Sequence, residues 1–318
     1  MAQTATATQQ CAARLESAMR SIIRGKDDVV RLALVSILAR GHLLIEGVPG
    51  VGKTTLAQAL ARAIACDFQR VQFTSDMLPS DVLGISIYSQ SEQAFEFKRG
   101  PIFTHILLAD EINRTTPKTQ SALLEAMNEH QVTVDGRAHP LPQPFLVIAT
   151  QNPVEHHGTY PLPESQMDRF LLRVRMGYPE AAGEREILRG KAGLACIDQL
   201  HPVLNADDIL ELQQEVARVQ VDESLVDYAL QIVQRTREHD HLSLGVSPRG
   251  SLALYHAAQA MAFLEGRTFC TPDDFKNLAV PAFAHRVVVN ARYAGTLKKA
   301  EQNDQVLHDI VATVPVPV

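Results

Sequence analysis

Apolar residues recur along this chain in two rhythms. In the first half, short uninterrupted apolar runs alternate with stretches of helical period. The runs fall at 43–45, 71–73, 106–108, 145–149 and 171–174. Such runs predict strands buried on both faces, and their alternation with helices predicts a parallel sheet. A helical pattern extends to about Ile23, after a tail over residues 1–10 expected to fray. A second spans Asp27 to Arg40, with Val30, Leu34, Ile37 and Leu38 on one face and Gly41 as its C-terminal cap. Thr116 caps a further helix, with Pro117 at its first position and Leu123, Ala126 and Met127 as its stripe. Beyond Tyr178-Pro179 strand-like runs become rare, and helical period covers 180–188, 206–216, 223–238, 248–264 and 271–285. Thr271-Pro272-Asp273-Asp274 is a marked helix start: a capping hydroxyl, a proline, then two acids facing the dipole. The expected organisation is an α/β nucleotide domain over 1–179 and a smaller all-helical domain over 180–318. The end, Val314-Pro315-Val316-Pro317-Val318, reads as an extended tail.

Composition narrows the class. The 318 residues leave room for two domains, and 46% hydrophobic with 21% charged residues is ordinary for a soluble globular protein. A net charge of −6 argues against a global basic surface for nucleic acid. Cys11, Cys66, Cys196 and Cys270 are far apart and form no CxxC pair, so reduced thiols in the cytoplasm are expected. The first residues lack the basic and apolar regions of a signal peptide, and no apolar window of about 18 residues is present to span a membrane.

The chemistry concentrates in Gly47-Val48-Pro49-Gly50-Val51-Gly52-Lys53-Thr54, which fits the phosphate-binding pattern G-x-x-x-x-G-K-[ST]. Small glycines let backbone N–H groups curl around phosphates. Lys53 would place a charge on the β- and γ-phosphates, and the Thr54 hydroxyl would ligate Mg²⁺. A short apolar strand precedes the loop, and a helix beginning near Thr55 follows it with its N-terminus towards the phosphates. The strand Ile106-Leu107-Leu108-Ala109 ends in Asp110-Glu111. Acids at this end of a buried strand lie beside the phosphate loop, so Asp110 is expected to hold Mg²⁺ and Glu111 to activate water. Asn152 ends the next apolar run and is placed to contact the γ-phosphate or the water. Arg114, Arg169, Arg173 and Arg249 are candidates to stabilise developing charge, and the residues alone do not rank them. His156-His157 has no clear third ligand and reads as ordinary loop.

Six blocks, in order, resemble the MoxR family of AAA+ ATPases. They are Gly47–Thr54; Leu107-Leu108-Ala109-Asp110-Glu111-Ile112-Asn113-Arg114; Ala149-Thr150-Gln151-Asn152-Pro153; Gly158-Thr159-Tyr160-Pro161-Leu162-Pro163-Glu164; Met167-Asp168-Arg169-Phe170; and Gly245-Val246-Ser247-Pro248-Arg249. Segments 73–81 and 125–136 resemble MoxR more narrowly than AAA+ proteins at large. The resemblance covers about Ile23 to Arg286, and departs at His157, where an acid is expected ahead of Gly158. It implies an AAA+ P-loop core followed by a helical lid. It makes Asn152 the sensor-1 residue, Arg249 a sensor-2 arginine reaching from the lid to the γ-phosphate, and Arg169 the finger offered to a neighbour's ATP. It lays the segment around Ile23 and Gly25 against adenine, and adds Thr55 to the nucleotide contacts.

The resemblance further implies a homo-oligomeric ring, usually hexameric. Its partners would be a von Willebrand factor A domain protein and a client that the ring remodels, often a metal-dependent complex. Segments 85–88 with 94–98, and 132–134 with 137–139 around Asp135-Gly136, are expected to form two hairpins facing the pore or a partner. The rival readings are a nucleotide-gated switch with little turnover and, less well supported, a DNA motor.

Overall fold

The computed structural model describes residues 7–152, 159–190, 193–290, 292 and 299–317. The elements run α1 (Ala7–Ile22), α2 (Asp27–Leu38), β1 (Leu43–Glu46), α3 (Lys53–Ala63), β2 (Phe68–Gln72), α4 (Pro79–Leu83), β3 (Gly84–Ser89) and β4 (Ala94–Arg99). There follow β5 (Ile106–Asp110), α5 (Pro117–Glu129), β6 (Gln131–Val134), β7 (Arg137–Pro140), β8 (Leu146–Gln151), α6 (Glu164–Met167) and β9 (Leu172–Arg175). The remainder comprises α7 (Ala181–Leu188), α8 (Leu194–Ile197), α9 (Ala206–Val216), α10 (Glu223–Glu238), β10 (Leu242–Leu244), α11 (Pro248–Leu264), α12 (Pro272–Phe283), β11 (Val288–Val289) and α13 (Lys299–Thr313).

The central sheet is parallel, in the order β2-β5-β8-β1-β9. Its strands read as continuous apolar runs because both faces are covered. Leu43, Ile45, Ile106, Leu108, Ile148 and Val174 face the layer of α1, α2 and α3, which is continuous with the helical half. Leu44, Leu107, Ala109, Val147 and Ala149 face the opposite way, towards Leu123, Ala126 and Met127 of α5. Alternate side chains thus enter two cores, as the pleat dictates. Shortening a fully buried leucine or isoleucine here costs about 2–5 kcal/mol.

The order of strands places three C-terminal ends side by side: β5, β8 and β1. A ligand site in an open α/β sheet lies outside those ends. His42 secures the opposite edge. Its Nδ1 accepts from Val147 N at 3.1 Å, and its Nε2 lies 3.0 Å from Met127 O, so the neutral ring joins strand to helix. Burial holds its pKa down at about 4, with the neighbouring His130 pushing the same way.

The two hairpins form as expected, β3 with β4 and β6 with β7. Asp135 (φ 51°) and Gly136 (φ 73°) make the left-handed two-residue turn of the second. Several expectations are corrected. The helix starts at Ala7, so residues 7–10 are not frayed, and Gln9 is buried. Arg40, not Gly41, takes the left-handed position after α2, with φ 55°. Gly41 is needed for another reason: a Cβ there would lie 2.4 Å from Leu171 Cβ. The second half is not all helical, since β10 pairs antiparallel with β11. The helix α13 was not foreseen, although Leu307, Ile310, Val311 and Val314 are buried at helical spacing.

Candidate functional site: a phosphate loop between two polar strand ends

Glycine geometry shapes the loop that follows β1. Gly50 and Gly52 take φ of 82° and 101°, a region open to glycine at little cost. At Gly47 a Cβ would stand 2.4 Å from Met176 O. Gly47 N donates to Gln151 O at 3.2 Å, which ties the loop to the end of β8. Lys53 is buried, and its Nζ donates to Gly47 O at 2.7 Å, holding the ammonium inside the curve. Val51 is buried and Val48 packs on the core, while Pro49 and Gly50 face solvent. Thr54 and Thr55 follow Lys53 in the first turn of α3, whose N-terminal end attracts anions.

Beside this loop lies a cavity of about 310 Å³. Ile23, Val51, Thr55, Met176, Pro179 and Leu194 are among its lining residues. Size and apolar walls suit a flat heteroaromatic base. Gly25 does not line it; its φ of 67° turns the chain between Arg24 and Lys26, which do. The helical half contributes Ile187, Gly193 and Leu194 to this wall, a set the motifs did not reveal.

The two acids at the end of β5 are held in a closed ring of hydrogen bonds. Thr150 Oγ1 donates to Asp110 Oδ1 at 2.6 Å and accepts from Glu111 N at 2.9 Å. Arg70 Nη2 donates to Asp110 Oδ2 at 2.6 Å and to Gln72 Oε1 at 3.1 Å. Gln72 Nε2 closes the ring on Glu111 Oε2 at 3.1 Å. Arg114 Nε adds an ion pair to Glu111 at 3.0 Å. Glu111 sits in the left-handed region, φ 57° and ψ 47°, which costs a non-glycine residue about 1–2 kcal/mol. Arg70, Gln72 and Thr150 were not anticipated. Asn152 is buried just past β8, next to the strand end that holds the loop.

Asp110 and Thr54 would hold a magnesium ion. The donors are hard oxygens, as that cation requires. In this structure Asp110 is paired with Arg70, which the ion would displace or share the carboxylate with. Bound there, the ion would neutralise phosphate charge. Glu111 lies one residue further along.

The remaining arginines separate. Arg173 is buried, paired with Asp304 and Glu46, and cannot reach out of the chain. Arg114 serves Glu111 of its own chain. Arg169 donates through Nη1 to Leu124 O at 2.6 Å. Burial lowers its pKa, and the like charge of Arg249 lowers it further. Arg249 is exposed on the first turn of α11, near enough for its charge to be felt at Arg169. Both belong to the N-terminal end of the strands, because 168–171 leads into β9 and Leu172 pairs in register with Leu43. The phosphate loop occupies the C-terminal end.

The family described as "ATPase family associated with various cellular activities (AAA)" matches residues 42–172, and the AAA lid domain matches 234–310. Chaperone MoxR1 of Mycobacterium tuberculosis is 43% identical, over 85% of this chain and 74% of its own. The chain belongs to the MoxR family of AAA+ ATPases. The Bacillus subtilis protein YeaC is 50% identical, over 93% of this chain and 92% of its own. A crystal structure of a candidate ATPase from Cytophaga hutchinsonii superposes with a TM-score of 0.89 at 36% identity, covering 98% of this chain and 96% of that one.

In this MoxR-family chain Ser247 caps α11 and donates to Asp168, so the turn that carries Arg249 is tied to the segment that carries Arg169. His156, His157, Gly158 and Pro153 lie outside the described residues.

Proposed function

We propose that this MoxR-family protein hydrolyses ATP with Mg²⁺ in a ring whose active sites are shared between neighbours. The observation that carries the reading is Glu111. Its strained backbone, its backbone bond to Thr150 and its side-chain bonds to Gln72 and Arg114 fix the carboxylate just past β5, on the side of the sheet from which the phosphate loop also leaves. A solvated acid has no such support, and a binding switch needs no such base.

Lys53 and the start of α3 would grip the phosphates, the 310 Å³ cavity the base, and Asn152 the γ-phosphate or water. Arg169 and Arg249, at the far end of the strands, would meet the nucleotide of the next subunit. The division near residue 179 then separates the hydrolytic domain from a lid.

By analogy with the chaperone name of its relative, hydrolysis would drive remodelling of a partner, with a von Willebrand factor A domain protein assisting. A cytoplasmic setting fits the four free cysteines and the absence, among the described residues, of a helix long and apolar enough to cross a membrane. The test is turnover per subunit across protein concentration, measured with ring mass. The rate should climb as rings assemble. ATP bound without phosphate release at any concentration would favour the switch.

A further inference from the structure

Arg286, just past α12, is buried, and its guanidinium grips one short segment of the core. Its Nε donates to Asp168 Oδ1 at 2.7 Å, and its Nη2 to Phe170 O at 2.6 Å and Asp168 O at 3.2 Å. Its Nη1 donates to Leu171 O at 3.1 Å and to Ala282 O. All but the last of these acceptors belong to 168–171, the segment that carries Arg169. The lid holds the same segment at other points. Ser247 Oγ donates to Asp168 Oδ2 at 2.9 Å, and His285 Nε2 lies 3.0 Å from Phe170 O. Gly250 makes room for the grip: a Cβ there would come within 3.0 Å of Arg286 Cδ.

A buried guanidinium is an expensive way to join two layers, since a packed apolar pair would serve stability as well or better. What it supplies is fixed geometry, because a planar fork with carbonyls and a carboxylate around it admits one pose. That pose fixes the backbone that carries two further cations, the half-buried Arg169 and the exposed Arg249. Arg169 follows Asp168 directly, and Arg249 follows Ser247 by two residues.

We propose that Arg286 and Asp168 form a positioning pair that aims Arg169, and through Ser247 also Arg249, at the nucleotide of the neighbouring subunit. This rests on the shared-site reading above. The pair touches no nucleotide. It makes the pose of one subunit's lid set the rate at the next subunit's site.

The test uses full-length rings of Arg286→Lys and Asp168→Asn, the second being the milder change should the first fail to fold. Each should leave ring mass and KM for ATP within about twofold of the parent, while kcat falls about tenfold to a hundredfold. Mixing with Glu111→Gln subunits is the decisive arm. Those subunits have a disabled site but an intact arginine, so activity of the mixture should rise above that of either parent ring. Adding Arg286→Lys to a variant that already carries both Arg169→Ala and Arg249→Ala should cost nothing more. A purely structural lid contact predicts the reverse: weaker nucleotide binding, lighter rings, no recovery on mixing and additive losses. Any of these in both variants, or kcat unchanged in both, overturns the proposal. Mixed Arg169→Ala and Glu111→Gln rings are the control. If they too fail to recover, the shared-site reading is what has failed, and the positioning role falls with it.

Discussion

Thr150 carries more of the site than its single hydroxyl suggests. It donates to Asp110 and accepts from Glu111 N, so one side chain on β8 aligns the last residue of β5 and the acid that follows it. Hydrogen bonds to charged groups contribute about 1.5–3 kcal/mol. Thr150→Val should therefore keep nucleotide affinity but slow turnover by roughly tenfold to a hundredfold, read by steady-state phosphate release. Glu111→Gln should slow it further, by about 10²–10⁴, while ATP stays bound through gel filtration. Near-normal turnover in that variant would remove Glu111 from its role. Lys53→Ala should instead weaken nucleotide binding itself, by direct titration. His42 makes a prediction in pH. Its pKa is lowered to about 4 in the folded state, from 6.5. The unfolded chain therefore binds more protons between these values, and stability falls as pH drops through the window. His285, also buried and lowered, acts in the same direction. His42→Gln should show a shallower loss of denaturation midpoint between pH 6.5 and 4 than the parent.

Among elements, the legible ones were those whose chemistry is contiguous. The phosphate loop packs its glycines, lysine and threonine into eight consecutive positions, and the buried strands announce themselves by unbroken apolar runs. The edge strand β2 was read at 71–73 and lies at 68–72, because Gln69, Arg70 and Gln72 dilute the apolar signal on its exposed side. That dilution hid a functional pair. Arg70 and Gln72 reach Asp110 and Glu111 only because β2 pairs with β5 in the register Gln72↔Asp110, which no local pattern specifies. Distance in sequence likewise hid the clamp on 168–171, where Arg286 and Asp168 are 118 positions apart. The Gly41 misreading is also physical. A glycine after a helix is usually its left-handed cap, but here close packing on Leu171 demands it. Gly41→Ala should lower stability by about 1–3 kcal/mol in urea unfolding, through displacement of the start of β9. A change under half that would show that Leu171 yields freely.

For the whole molecule, the separation of Lys53 from Arg169 along the strands makes a lone chain an incomplete enzyme under the proposed reading. A finger of this kind is worth about 10³–10⁵ in rate in other nucleotide hydrolases. Arg169→Ala should thus bind ATP nearly as the parent does yet hydrolyse it poorly, and regain turnover in rings mixed with Glu111→Gln.

The strand β9 gives such an assembly a sense of rotation. Four residues long, about 13 Å, it begins beside the clamped segment and ends one residue before Met176, which lines the cavity beside the phosphate loop. Under the shared-site reading, news that one pocket has filled or emptied would have a short strand to travel along, from the cavity of its own chain to the segment offered to the next. Firing would pass round such a circle in a single direction, without any external timer.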